Sequence, residues 1–224
     1  TPATNKQRAP WQGKDAEFVA PLVTVTYAQS LDGSIAAADG AAVLLSGKEA
    51  MHMTHKLRAG HDAILVGAGT ARGDDPSLTV RLCPGTNPQP VVLDPRLSLP
   101  PGAKLLTSAA CERPWLFCTP AAARDARRVQ ALEAAGAAVV PVGADARGRL
   151  ALVEVLLELQ RRGVHRLPLS SSPKPSVLLP HYYYKVLLHP AAPSSLAAPL
   201  ARSVMVEGGA AVIQSFLREA RPPL

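Results

Sequence analysis

The chain has 224 residues, 47% of them hydrophobic and 18% charged, with 22 prolines and a formal net charge of +7. This length is enough to bury a full core as one α/β domain, and with no apolar run of about 18 residues a membrane-spanning helix is not expected. The basic residues are scattered, with Arg124, Arg127 and Arg128 the densest group, and only four Tyr and three Phe could stack on bases. A nucleic-acid partner is therefore not expected, and the charge suits an anionic small molecule.

Residues 1–20 are polar without a defensible period and read as a flexible lead-in. Pro21 to Tyr27 is a β-branched, alternating strand, broken by turn chemistry at Ser30-Leu31-Asp32-Gly33. Ser46-Gly47-Lys48-Glu49 predicts a capping box. It opens a helix through Ala50, Met53, Thr54 and Leu57 that stops at Gly60. Ala63-Ile64-Leu65-Val66 is a continuous apolar run, as in a central parallel strand. Val91–Leu93, Trp115–Cys118 and Ala138–Val142 predict further strands. Ala121–Ala135 predicts a helix ended by Gly136, and Leu152, Val155, Leu156 and Leu159 mark one face of another. Ser203–Val206 predicts a buried strand and Ala210–Glu219 a helix. Strands alternating with helices predict a mainly parallel sheet with helices on its flanks.

The stretch 168–202 breaks this pattern. It holds seven prolines, three of the four tyrosines and no Asp or Glu, and it reads as an insert in a domain running from 21 to 224. Proline at that density removes ladder donors and forbids helix interiors.

Two glycine sites could carry chemistry. Val66-Gly67-Ala68-Gly69-Thr70 leads toward Asp74-Asp75-Pro76 and lets backbone approach a ligand closely at a strand end. A Rossmann turn is not expected, because Arg72 occupies the third glycine position and Pro76 and the two aspartates leave no crossover helix. Asp94, after a later strand, is the residue such a turn would use for a ribose. Glu207-Gly208-Gly209 precedes a helix, where free backbone amides make an anion cradle. His52, His55 and His61 read as solvated histidines and not as a metal site. Ser30 lacks a nucleophile elbow. Cys83, Cys111 and Cys118 have no ligand spacing and read as reduced thiols, which suits the cytoplasm and is compatible also with an organelle.

Taken together, Thr24 to Gly33, Leu57-Arg58-Ala59, His61 to Thr70, Asp74 to Thr79 and Val206-Glu207-Gly208-Gly209 resemble the riboflavin-biosynthesis reductases. That family comprises the C-terminal domain of the bifunctional deaminase-reductase and the stand-alone fungal and archaeal enzymes. The resemblance implies a dihydrofolate-reductase-like fold, a homodimer and NADPH as hydride donor. It implies a ribosylaminopyrimidine 5′-phosphate as substrate, reduced at its ribosyl group to ribityl. The opening Thr26-Tyr27-Ala28-Gln29-Ser30 looks like the stand-alone fungal type, which acts before deamination. By resemblance Ala28, Leu44, Thr70, Asp74, Gly208, Gly209, Ala210, Ala211 and Val212 contact the cofactor. Arg58, Leu78, Arg81 and Glu207 contact the substrate, the arginines suiting its 5′-phosphate; no catalytic proton donor is assigned. Two departures stand out: the 168–202 stretch, and an end soon after the Gly-Gly helix that implies a sheet incomplete at its C-terminal side. Both lead to the expectation that the chain as given folds poorly or lacks activity. A non-catalytic nucleotide-binding form and a dihydrofolate-reductase-like reductase of another substrate are the alternatives.

Overall fold

The computed structural model describes residues 22–37, 45–163 and 203–219. The lead-in 1–20, Leu44 and the proline-rich stretch 168–202 lie outside the described residues.

Six strands form one parallel sheet: β1 (Leu22–Thr26), β2 (Ala63–Gly67), β3 (Gln89–Leu93), β4 (Trp115–Cys118), β5 (Ala138–Pro141) and β6 (Ser203–Glu207). Their spatial order is β1-β6-β2-β3-β4-β5. The last strand thus enters the middle of the sheet, with Val204 beside both Val23 and Ala63. The helices are α1 (Lys48–Gly60), α2 (Ala68–Gly73), α3 (Lys104–Thr107), α4 (Ala126–Ala134), α5 (Leu152–Arg161) and α6 (Ala210–Glu219).

Parallel strands are covered on both faces, which is why they read as unbroken apolar runs. On one face Leu65, Val91, Phe117, Val140 and Val206 pack with Val155 and Leu159 of α5 and with Ile213 and Phe216 of α6. On the other, Ile64, Val66, Val92, Leu116 and Cys118 pack with Leu132 of α4, Leu105 of α3, and Leu97 and Leu99. Each fully buried Leu or Phe contributes about 1.5–3 kcal/mol relative to an exposed one. Burial pushes the Cys118 thiol up to about 11, helped by the nearby Asp94 carboxylate, so this cysteine is an inert core group.

The structure corrects four local expectations. The capping box does not form: Gly47 is the N-cap, without a side-chain cap bond, and Glu49 instead lies in the first turn, favoured by the helix dipole. A helix does begin at the first glycine site, but Asp74-Asp75-Pro76 follow and α2 ends after six residues. The long helix from Ala121 is split. A 3₁₀ turn (Ala122–Arg124) is capped by the Thr119 hydroxyl, and Asp125 then starts α4 by accepting the Arg128 amide. Such short polar side chains compete with helix continuation.

The fourth correction is His55, which is fully buried and not solvated. Its Nδ1 accepts the Arg81 amide at 3.1 Å, and Nε2 has no hydrogen-bond partner. Burial, and then the cations Arg58, Arg81 and His52, push its pKa from 6.5 down to about 4. Above pH 6.5 both folded and unfolded states hold it neutral. Between 6.5 and 4 only the unfolded chain takes up the proton, so stability falls with pH across that window. Urea unfolding should show a loss of about 2 kcal/mol from this group between pH 7 and pH 5. His55→Gln keeps an acceptor for the Arg81 amide and is expected to flatten that slope; an unchanged slope would contradict the assignment.

Candidate functional site

In a parallel α/β sheet, ligands bind beyond the carboxyl ends of the strands. Here those ends open into a cleft of about 1730 Å³. Its centre is the junction of β6 with α6. Gly208 and Gly209 follow β6 with φ of 83° and 79°, a pair of left-handed residues that only glycine adopts at little cost. The turn is also close-packed. A Cβ on Gly209 would lie 3.2 Å from Thr70 Oγ1, one on Gly208 3.4 Å from Thr70 Cγ2, and one on Gly67 2.8 Å from Val212 Cγ2. The two glycine sites read separately in the sequence are therefore one structure, with the start of α6 lying against the start of α2. At the start of α6 the Val212 and Ile213 amides already donate to the Gly209 carbonyl, at 2.9 and 3.0 Å, and the amides ahead of them, with the helix dipole, favour an anion at this junction.

Of the residues expected to contact a cofactor, Ala28, Thr70, Asp74, Gly208, Gly209, Ala210, Ala211 and Val212 all line this cleft. Of those expected at the substrate, Arg58 and Glu207 line it and are bonded to each other. Arg58 Nε and Nη2 donate to the two Glu207 carboxylate oxygens at 2.8 and 2.7 Å, and Nη1 donates to the Thr79 carbonyl at 3.1 Å. Their side chains are 10% and 15% exposed, so the pair is a mostly desolvated fork-to-fork contact at the tip of β6. Arg58 is thus fully engaged within the protein, and it fixes the Glu207 carboxylate at the cleft.

Leu78 and Arg81 are placed differently. Leu78, at φ 51°, is buried in the core beside Ile64 and Val66, and Arg81 is exposed, its guanidinium 3.4 Å from Ser77 Oγ. Neither lines the cleft.

Asp94 is 1% exposed, with both carboxylate oxygens bonded inside its own turn, to the Ser98 hydroxyl and the Leu99 amide. Ser30 and Asp32 form a surface turn with Ser34, in which the Ser30 hydroxyl donates to the Asp32 carboxylate. Those hydrogen bonds, from Ser30 first and then Ser34, hold the Asp32 carboxyl below its usual range. Among the described residues no group of His, Cys, Asp and Glu could hold a metal ion.

Sequence reading missed the far end of the cleft, where Arg96, Ser98, Thr119, Arg147 and Arg149 follow β3, β4 and β5. The available signal was positional, since each lies just beyond the carboxyl end of a predicted strand.

The sequence model of the family described as RibD C-terminal domain matches residues 21–174. The chain is 38% identical over 146 residues to the riboflavin biosynthesis protein RibD of Bacillus amyloliquefaciens, a match covering 64% of this chain and 38% of that protein. It is 43% identical over 91 residues to the 2,5-diamino-6-ribosylamino-4(3H)-pyrimidinone 5′-phosphate reductase of Eremothecium gossypii, covering 37% of each. The matches thus span less than two fifths of the length of either relative. In three dimensions the riboflavin biosynthesis reductase Rib7 of Saccharomyces cerevisiae superposes with a TM-score of 0.57 at 23% identity, over 91% of this chain and 69% of that one. This is the dihydrofolate-reductase-like fold. The chain belongs to the RibD C-terminal domain family.

Proposed function

We propose that the chain is an NADPH-dependent reductase that converts the ribosyl group of a ribosylaminopyrimidine 5′-phosphate to ribityl in riboflavin biosynthesis. The observation that carries this reading is the interlocked Gly67–Thr70 and Gly208–Val212 junction, a cradle that a single Cβ would fill. Its size, its backbone amides and its place at the centre of the strand ends fit the pyrophosphate of a dinucleotide. The names of the relatives supply the substrate class.

When bound, NADPH supplies the hydride. The protein's part is binding, orientation and exclusion of water. The amides at the start of α6 hold the phosphates, while Thr70, packed against Gly208 and Gly209, keeps the turn in shape. Toward β1, the cleft walls formed by Tyr27, Ile35 and Met51 offer apolar surface to a flat ring. Glu207, fixed by Arg58, presents a carboxylate of set position to the polar groups of the substrate.

The test is NADPH binding, followed by turnover with the pyrimidine phosphate, for the chain and for a version lacking 168–202. Saturable NADPH binding by both is the expected result, with turnover at least by the shortened version. Binding by neither would overturn the reading. Binding with no turnover in either version would favour a non-catalytic nucleotide-binding protein, and turnover of pteridines alone would favour a different reductase.

A further inference from the structure

The cradle is built from two strands, and their relation is set at the opposite end of the sheet. One half follows β2 at Gly67–Thr70 and the other follows β6 at Gly208–Val212. β2 and β6 pair over three residues, with Ala63, Ile64 and Leu65 beside Val204, Met205 and Val206. On their other sides β2 pairs with β3, and β6 with β1, over five residues each. The ladder between the two halves of the cradle therefore stops short of the cleft, before Gly67 and Glu207. Its hold on them begins at the amino ends of the strands.

There a reciprocal clasp extends the pairing by one residue. Asp62 Oδ2 accepts from the Ser203 amide at 2.9 Å and from the Ser203 hydroxyl at 3.0 Å. In return the Asp62 amide donates to the Ser203 carbonyl at 3.2 Å and lies 3.3 Å from its Oγ. Ser203 is 7% exposed, so these bonds are shielded from water, and bonds to a carboxylate are among the stronger ones. Backbone ladder bonds would form with almost any residues here, whereas the side-chain bonds need a carboxylate opposite a hydroxyl. Asp62 Oδ1 is buried without a partner, which costs desolvation, so packing alone would favour a different side chain. The same corner reaches the strands twice more. His61 Nε2 lies 2.8 Å from Thr24 Oγ1 on β1, and Arg58, one turn earlier, holds Glu207 at the tip of β6. β6 is thus fastened at its foot and at its tip to the unit formed by α1 and β2.

We propose that Asp62 is a positioning residue for the cradle, acting through Ser203 and the length of β6. The inference rests on the cofactor reading above. Asp62 does not line the cleft, so it acts on where the Gly208–Gly209 turn and the Glu207 carboxylate stand. A strand of this length spans roughly 16 Å, and with both edges paired it carries a constraint at its foot to its tip. At the tip the tolerance is small, since a Cβ on Gly209 would lie 3.2 Å from Thr70 Oγ1. A misplacement of about 1 Å at such a site can cost on the order of a hundredfold in rate.

The experiment measures NADPH affinity, urea unfolding and amide hydrogen exchange by mass spectrometry for the 224-residue chain and its variants. Asp62→Ala should weaken NADPH by about tenfold, and Ser203→Ala, which removes one of the bonds, by less. Asp62→Asn keeps an acceptor oxygen opposite Ser203 and should bind NADPH within about twofold of wild type. Leu132→Ala, in the core under α4, is the control: it should lower the urea midpoint at least as far and leave NADPH affinity unchanged. In Asp62→Ala, exchange should quicken through 206–213, at the cradle, as well as beside the lost bonds. A lowered midpoint with unchanged NADPH affinity would overturn the proposal, as would faster exchange confined to 62–64 and 203–205. So would an Asp62→Asn variant as weak as Asp62→Ala. If Asp62→Ala does not fold, Ser203→Ala carries both readouts. A wild-type chain that binds no NADPH overturns the cofactor reading, and the exchange result then decides the positioning role by itself.

Discussion

Glu207→Ala is expected to destabilise the fold by about 3 kcal/mol, because it leaves Arg58 as an uncompensated cation in a site where its side chain is 10% exposed. Arg58→Ala should cost a similar amount for the reciprocal reason, and it also removes the bond to the Thr79 carbonyl. The double variant Arg58→Met with Glu207→Leu is the informative comparison. Replacing a buried pair by apolar groups of similar volume is often near neutral, so it should be much more stable than either single variant. Urea unfolding of the variants at neutral pH checks this. If the single losses simply add in the double variant, the pair is not coupled as its geometry requires. The same double variant should remain folded yet lose the substrate, which separates the structural role of the pair from its role at the cleft.

Gly209→Val should reduce NADPH affinity at least tenfold and cost the fold about 2 kcal/mol. Two effects combine. A β-branched residue at φ 79° is strained by about 1–3 kcal/mol. Its Cβ would also sit 3.2 Å from Thr70 Oγ1, so that either Thr70 shifts or the turn opens. Thr70→Ala removes the contact but not the strain, and placed in the Gly209→Val background it should restore only part of the lost affinity. NADPH titration and urea unfolding of the three proteins give both readouts. Wild-type affinity in Gly209→Val would show that the phosphates do not lie at this turn.

The sheet was the most legible part of the sequence. Ala63–Val66, Leu116–Cys118 and Val204–Val206 are buried on both faces, and that requirement writes itself as uninterrupted apolar residues. The Gly-Gly turn was legible for a related reason, since paired left-handed residues after a strand admit little else. What escaped was set by distant partners. Arg58 and Glu207 are 149 positions apart, and nothing local to either says that they bond to each other. His55 carries helical spacing with His52, yet one is exposed and the other fully buried. The split between the 3₁₀ turn and α4 depends on Thr119 and Asp125 capping successive turns, a competition that composition and period do not express.

The most direct test of the central claim follows the hydride itself. The chain, with and without 168–202, is given the ribosylaminopyrimidine 5′-phosphate and NADPH deuterated at the transferable position, and the product is examined by mass spectrometry. The expected result is a ribityl product carrying one deuterium at its C1′. Ribityl product without deuterium, or no product from either version, would contradict the account.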